Sequence, residues 1–141
     1  MIVWLTGQSG AGKTTLAKKI TKDLWCVNLD GDEMRESISL RAGFSKEDRK
    51  EHNLRIARLA KVLDRQEHLI IVTVIAPMEE VRKEITKICN PYWVYIKRTL
   101  PDREGHFYEE PKDYFTLDHD KLSVKESACE LFWQIVEWET K

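Results

Sequence analysis

Met1-Ile2-Val3-Trp4-Leu5-Thr6-Gly7-Gln8-Ser9-Gly10-Ala11-Gly12-Lys13-Thr14-Thr15 decides the fold. Residues 7–14 form a complete G-x-x-x-x-G-K-[ST] loop behind an apolar segment with the character of a buried strand. A phosphate chain needs many positive partial charges at close range. Such a loop therefore turns its backbone N–H groups inward, which the Cβ-free Gly7, Gly10 and Gly12 allow. The candidate nucleotide-binding residues are Gly7, Ser9, Gly10, Ala11, Gly12, Lys13, Thr14 and Thr15. Lys13 reaches the β and γ phosphates, and Thr14 offers its hydroxyl to Mg²⁺. The helix that begins near residue 13 points its positive end at the same anion. Binding of a nucleoside triphosphate with Mg²⁺ is the first expectation.

The rest of the composition is ordinary. The chain has 141 residues, 42% hydrophobic and 33% charged, which suits one domain (1–141) around one core. A formal net charge of -1 and a pI near 6.4 argue against general affinity for nucleic acid or anionic membrane, since either normally shows as basic excess. The longest apolar run, residues 69–76, is too short to span a bilayer, and the apolar start runs directly into the glycine loop. The expected location is therefore cytoplasmic. Cys26, Cys89 and Cys129 are widely separated and lack C-x-x-C spacing, which suits reduced thiols, and no His partners them at zinc-ligand spacing. Five Trp residues are compatible with the interface of a homodimer and equally with core filling.

Apolar segments at 2–6, 25–29, 69–75, 92–97 and 114–117 alternate with helical patterns at 13–22, 32–39, 46–66, 78–88 and 123–138. The expected fold is α/β of the P-loop NTPase type, an approximately five-stranded parallel sheet with helices on both faces. Residues 69–75 lack polar alternation, as a central strand does. The long irregular stretch at about 98–113, with Pro101, Gly105 and Pro111, stands where a lid would sit.

Two further segments carry chemistry. In Leu29-Asp30-Gly31-Asp32-Glu33-Met34-Arg35 two carboxylates leave a strand end, where ligands of parallel sheets bind. Asp30 or Asp32 could help hold Mg²⁺ through water or take the proton of an acceptor hydroxyl, and Arg35 could bind an acceptor anion. The competing reading is an N-cap at Asp32 paired with Arg35. In Gly43-Phe44-Ser45-Lys46-Glu47-Asp48-Arg49, Ser45 and Asp48 have the spacing of a capping box. Arg49, His52, Asn53 and Ile56 then share one helical face, suited to an anion or nucleotide, or else a solvated charged face. Phe44 is a core plug or a stacking platform.

Taken in order, the P-loop, Leu-Asp-Gly-Asp-Glu-Met-Arg, Ala-Gly-Phe-Ser-Lys-Glu-Asp-Arg-Lys-Glu and Ile-Ala-Pro after a hydrophobic strand resemble the adenylylsulfate (APS) kinase family. The likeness runs over residues 1 to about 97 and returns weakly at Tyr108-Glu109-Glu110-Pro111 and Leu117-Asp118. It implies an acceptor site at Asp32, Arg35, Phe44 and Arg49. Three departures stand out. His52 occupies the place of an acceptor-binding asparagine, with Asn53 one residue later, and imidazole charge varies near neutral pH. Ala76 replaces a serine that carries phosphate in some members, which excludes such an intermediate and leaves direct in-line transfer. The family's K-G-L-Y and F-T-G lid motifs have no counterpart between Lys97 and Tyr108, and Phe107 or Tyr108 is the candidate for the missing aromatic wall.

The resulting expectation is an ATP-dependent kinase acting on the 3′-hydroxyl of APS, with Lys13 and Asp32 catalytic. Arg35, Phe44, Arg49, His52 and Asn53 join Asp32 in binding the anionic, nucleotide-like acceptor, and Thr14 with Asp30 stands near the metal. Arg82 is a further candidate for the acceptor anion, with a solvent-facing position as its alternative. The rival readings are a kinase for another nucleotide-activated anion, for instance in surface-polysaccharide modification, and an idle ATP-binding module. A GTPase-like switch lacks an N-K-x-D motif, and a nucleic-acid end kinase lacks a basic stripe.

Overall fold

Strand β1 (Ile2–Thr6) is buried along its whole length, and the alternation of its side chains divides the protein into two layers. Ile2 and Trp4 enter one core cluster, Val3 and Leu5 the other. The computed structural model describes residues 1–101 and 107–141. Residues 102–106 of the expected lid segment lie outside the described residues.

After β1 come α1 (Lys13–Ile20), β2 (Val27–Asp30), α2 (Gly31–Arg35), α3 (Lys46–Arg65) and β3 (Ile70–Thr73). They are followed by α4 (Glu79–Cys89), β4 (Tyr92–Lys97), β5 (Phe115–Asp118) and α5 (Val124–Glu139). The five strands form one sheet in the order β2-β3-β1-β4-β5, every pair parallel. On one face Ile56, Ala57 and Ala60 of α3 with Val81 and Ile85 of α4 pack against Trp4, Ile70 and Val72. On the other, Leu16 and Ile20 of α1 with Leu131 and Ile135 of α5 pack against Val3, Leu5, Val94 and Ile96. Both faces being covered explains the continuous apolar runs of the central strands. No helix among the described residues is long and apolar enough to cross a membrane.

The element boundaries differ from the sequence pattern where side chains capture the backbone. Strand β2 begins at Val27 rather than 25, because Trp25 stands 95% exposed outside the sheet. Strand β3 stops at Thr73 rather than 75, since Trp4 Nε1 donates to the Val74 carbonyl (3.1 Å) and the Thr6 hydroxyl to that of Ile75. Helix α2 ends at Arg35 rather than 39. There Ser37 Oγ donates to the Glu33 carbonyl (2.9 Å), and hydroxyls bonded back to the backbone favour turns over helix. Ser45 caps α3 by accepting from the Asp48 N–H (3.1 Å), the half of the expected box that forms. Helix α5 has the reciprocal box, Ser123 with Glu126.

Candidate active site

The carboxyl ends of β1, β2 and β3 open into a cleft of about 1180 Å³, larger than the roughly 300–1,000 Å³ of a site for one small molecule. Gln8, Ser9, Gly10, Gly12, Lys13, Thr14 and Thr15 line one part of it. Gly10 and Gly12 take left-handed conformations, φ 88° and 102°, which a side chain would strain. Gly7 has a different reason to be glycine: a Cβ there would lie 2.5 Å from the Ile96 carbonyl oxygen of β4. Neither Gly7 nor the buried Ala11 lines the cleft; both shape the loop from behind.

Lys13 is buried at the first position of α1, and its Nζ donates to the carbonyls of Gly7 (2.7 Å) and Gln8 (2.8 Å). Burial lowers its pKa to about 8, against the pull of the Asp30 and Asp32 carboxylates. Asp30 sits at the end of β2. Its Oδ1 accepts from Thr14 Oγ1 and Thr73 Oγ1, both at 2.8 Å, and its Oδ2 from the Asp32 N–H (3.2 Å) as the N-cap of α2. The cap is thus Asp30 rather than Asp32. Among the described residues the Asp32 side chain makes no hydrogen bond, and it lines the cleft.

Opposite the loop, Arg35, Phe44, Arg49, His52 and Asn53 line the same cleft. Phe44 is no core plug: it is 68% exposed, with the Arg35 guanidinium 4.4 Å and that of Arg49 6.0 Å from its ring centre. Arg35 is held by the carbonyls of Gly43 (3.1 Å) and Ala42 (3.4 Å) rather than by Asp32. Burial and then the neighbouring Arg49 charge push its pKa down, a tension that a bound anion relieves.

His52 is buried, with Nδ1 2.7 Å from Ser39 Oγ and a backbone hydrogen bond to Gly31. Burial, then Arg35, lowers its pKa to about 4. The expectation of a charge that varies near neutral pH is therefore corrected: the imidazole is neutral there. Asn53 beside it makes no side-chain hydrogen bond among the described residues and lines the cleft.

Arg82 is buried and does not line the cleft. Its guanidinium donates to the carbonyls of Ala76 (2.7 Å) and Glu109 (2.8 Å) and lies 5.4 Å from the Tyr108 ring centre, so neither alternative read from sequence holds. It ties the segment after β3 to the segment before β5. Tyr108 is similarly engaged, its hydroxyl 2.9 Å from Thr6 Oγ1 and its ring stacked on Tyr95. Both aromatics line the cleft, and Phe107, 64% exposed, is the one whose ring is not already stacked within the protein.

Thr73, which the sequence reading did not single out, lies in the cleft wall, as do Arg98, Leu100 and Pro101 of the expected lid segment, none of which it named as a site residue. Arg98 Nη1 donates to the Gly10 carbonyl at 3.0 Å. Two signals were present. Thr73 is the lone hydroxyl in an apolar run, and Arg98 directly follows the end of β4 much as Asp30 closes β2.

The family model for adenylylsulphate kinase matches residues 1–111. The adenylyl-sulfate kinase of Microcystis aeruginosa (strain NIES-843 / IAM M-2473) is 40% identical over 104 residues, covering 70% of this chain and 58% of that protein. The Mycobacterium tuberculosis APS kinase CysC in complex with AMPPNP and APS superposes with a TM-score of 0.80 at 27% identity, covering 93% of this chain and 94% of that one. A hexameric APS kinase from Thiobacillus denitrificans gives 0.82 at 26%, covering 96% of this chain and 28% of that one. This chain spans less than two thirds of the length of the curated relatives it matches, 54% to 58% for three of them.

Proposed function

This chain belongs to the adenylylsulphate kinase family, and we propose that it transfers the γ-phosphoryl group of ATP to the 3′-hydroxyl of adenylylsulfate. The observation that carries the reading is the convergence of the phosphate loop with Asp32, Arg35, Phe44 and Arg49 in one cleft large enough for two ligands. Phosphoryl transfer asks for positioning and charge neutralisation more than for covalent chemistry. Lys13 and the loop N–H groups neutralise the migrating charge. Asp30 already holds two hydroxyls and a backbone N–H, so the uncommitted Asp32 carboxylate orients the acceptor hydroxyl and takes its proton. Arg35 and Arg49 hold the acceptor's sulfate and phosphate, Phe44 offers its face to the adenine, and Phe107 is the second aromatic available to that base. Asn53 supplies a carboxamide, whereas His52 contributes shape.

Among the described residues no cluster of three His, Cys, Asp or Glu could hold a metal alone. The oxygen-only set of Thr14 and Asp30 at 2.8 Å fits Mg²⁺, which takes few protein ligands and completes its shell with phosphate and water. When bound there it neutralises phosphate charge. Ala76 has no hydroxyl and is buried at φ 46°, which fits direct transfer.

We also propose self-association, as in the hexameric Thiobacillus relative. The exposed Trp25 lines a groove with Tyr92 and Trp138, and a monomer in light scattering removes this part of the reading.

The test of the activity is ADP release from Mg-ATP with and without APS, using Lys13→Ala as blank. APS-dependent release is expected. ATP binding without APS stimulation overturns the acceptor assignment, and a folded Lys13→Ala with full activity overturns the mechanism.

A further inference from the structure

His119 follows β5, on the opposite side of β1 from Asp30 in the strand order. Its Nδ1 lies 2.8 Å from the carbonyl oxygen of Ala11. A carbonyl only accepts, so Nδ1 carries the proton and donates. The same ring occupies the space where a side chain at Gly12 would begin: a Cβ there would lie 2.9 Å from Nδ1 and 3.3 Å from Cε1. The backbone that presents the ring is fastened on both sides. The His119 N–H donates to the Lys97 carbonyl (2.8 Å), and the Asp118 carboxylate accepts from the Asp120 N–H (2.9 Å). The Asp120 carboxylate in turn accepts from the Thr99 N–H (3.0 Å) and hydroxyl (2.6 Å).

The consequence for the loop follows from peptide geometry. The Ala11 carbonyl and the Gly12 N–H belong to one trans peptide plane and point in opposite directions. A donor that holds the carbonyl toward His119 therefore turns the Gly12 N–H to the other side, toward the cleft that Gly12 lines. Gly12 has no side chain to fix its own conformation. Arg98 holds the preceding carbonyl, that of Gly10, but the N–H of that peptide, on Ala11, is turned back to the Gln8 carbonyl (3.1 Å), so of these two peptides only the Ala11–Gly12 one has its N–H left for a ligand.

Resting on the kinase reading above, we propose that His119 is a positioning residue for the phosphoryl donor, holding the Ala11–Gly12 peptide in the orientation that presents the Gly12 N–H to phosphate. Only one of its ring nitrogens is used. Nε2 is buried without a hydrogen-bond partner among the described residues. An asparagine, whose carboxamide nitrogen can stand where Nδ1 stands, should therefore serve in its place, and a glutamine, whose nitrogen reaches the position of Nε2, should not.

The experiment titrates Mg-ADP into wild type, His119→Asn, His119→Gln and His119→Ala, with the APS KM and the melting temperature measured alongside. Loss of one neutral hydrogen bond predicts Mg-ADP binding weakened roughly threefold to tenfold in the Ala and Gln variants. His119→Asn is expected within about twofold of wild type, and the APS KM unchanged throughout, since a general loss of structure would move both sites. Wild-type affinity in His119→Ala, or equal weakening in His119→Asn and His119→Gln, overturns the proposal. Should His119→Ala not fold, the contrast between Asn and Gln decides it alone. A wild type that binds no Mg-ADP overturns the kinase reading and the role of His119 with it, whereas a wild type that binds and variants that match it overturn the role of His119 only.

Discussion

The two halves of the cleft are built on different principles. The donor half is backbone: nine contiguous residues after β1, two of them in left-handed conformations, one pressed against Ile96, and their carbonyls held by Lys13, Arg98 and His119. The acceptor half is side chain: Arg35 from α2, Phe44 from the irregular segment before α3 and Arg49 from α3, arranged around one exposed ring. A preorganised backbone cradle pays little ordering cost when phosphate arrives, whereas an exposed aromatic and two long guanidinium chains lose rotamer freedom on binding. On the proposed reaction, the difference would assign phosphate handling to the first half and acceptor selectivity to the second, and substitutions can break that division.

The largest effect belongs to Lys13→Ala, which removes the charge that the proposed mechanism sets against the transferring group. A fall in kcat of about a hundredfold to a thousandfold is expected, with the protein folded by circular dichroism. In the acceptor half, Arg35→Ala is expected to raise the APS KM about tenfold to a hundredfold, the cost of a charge-assisted contact. The Mg-ADP affinity should stay near wild type; equal loss at both sites would show that the halves are not separable. Phe44→Ala should raise the APS KM about tenfold through lost base stacking. It should leave the KM for ATP unchanged, and initial-rate kinetics with each substrate varied checks both.

These halves were also unequally legible in the sequence. The donor half is one unbroken motif, and alternation of apolar and helical segments was enough to give a parallel sheet with helices on both faces. The acceptor half could be nominated from a shared helical face, but the fate of each residue depends on partners far along the chain. His52 loses its titration near neutral pH through burial and Arg35, and its Nδ1 to Ser39. Arg82, in a charged stretch of α4, reads as an anion-binding candidate or a solvent-facing residue, yet its guanidinium is taken by Ala76 and by Glu109, 27 residues away. Strand order and these cross-element hydrogen bonds arise from tertiary packing, which no local periodicity encodes. The reason for Gly7 was likewise hidden, because it lies in the approach of β4 rather than in the turn itself.

The smallest effect distinguishes the halves by pH. Burial has brought the Lys13 pKa to about 8, while guanidinium groups stay charged throughout the accessible range. The sign for folding is that the unfolded lysine holds its proton up to about 10.5, so between these values the unfolded chain binds more protons and stability rises with pH. For binding the sign reverses. A phosphate anion favours the charged lysine, so Mg-ADP draws a proton onto Lys13 and its affinity falls as pH rises through about 8. From the protonated fraction, the loss between roughly pH 7 and pH 8.5 should be about fourfold. Calorimetry in two buffers of different ionisation enthalpy should register the proton uptake, and Lys13→Met should abolish it. The APS KM, assigned on the proposed reading to Arg35 and Arg49, should stay level over the same interval. A pH-independent Mg-ADP affinity in the wild type would mean that the lysine is fully charged before the nucleotide arrives, and that the donor half is preorganised in its charge as well as in its backbone.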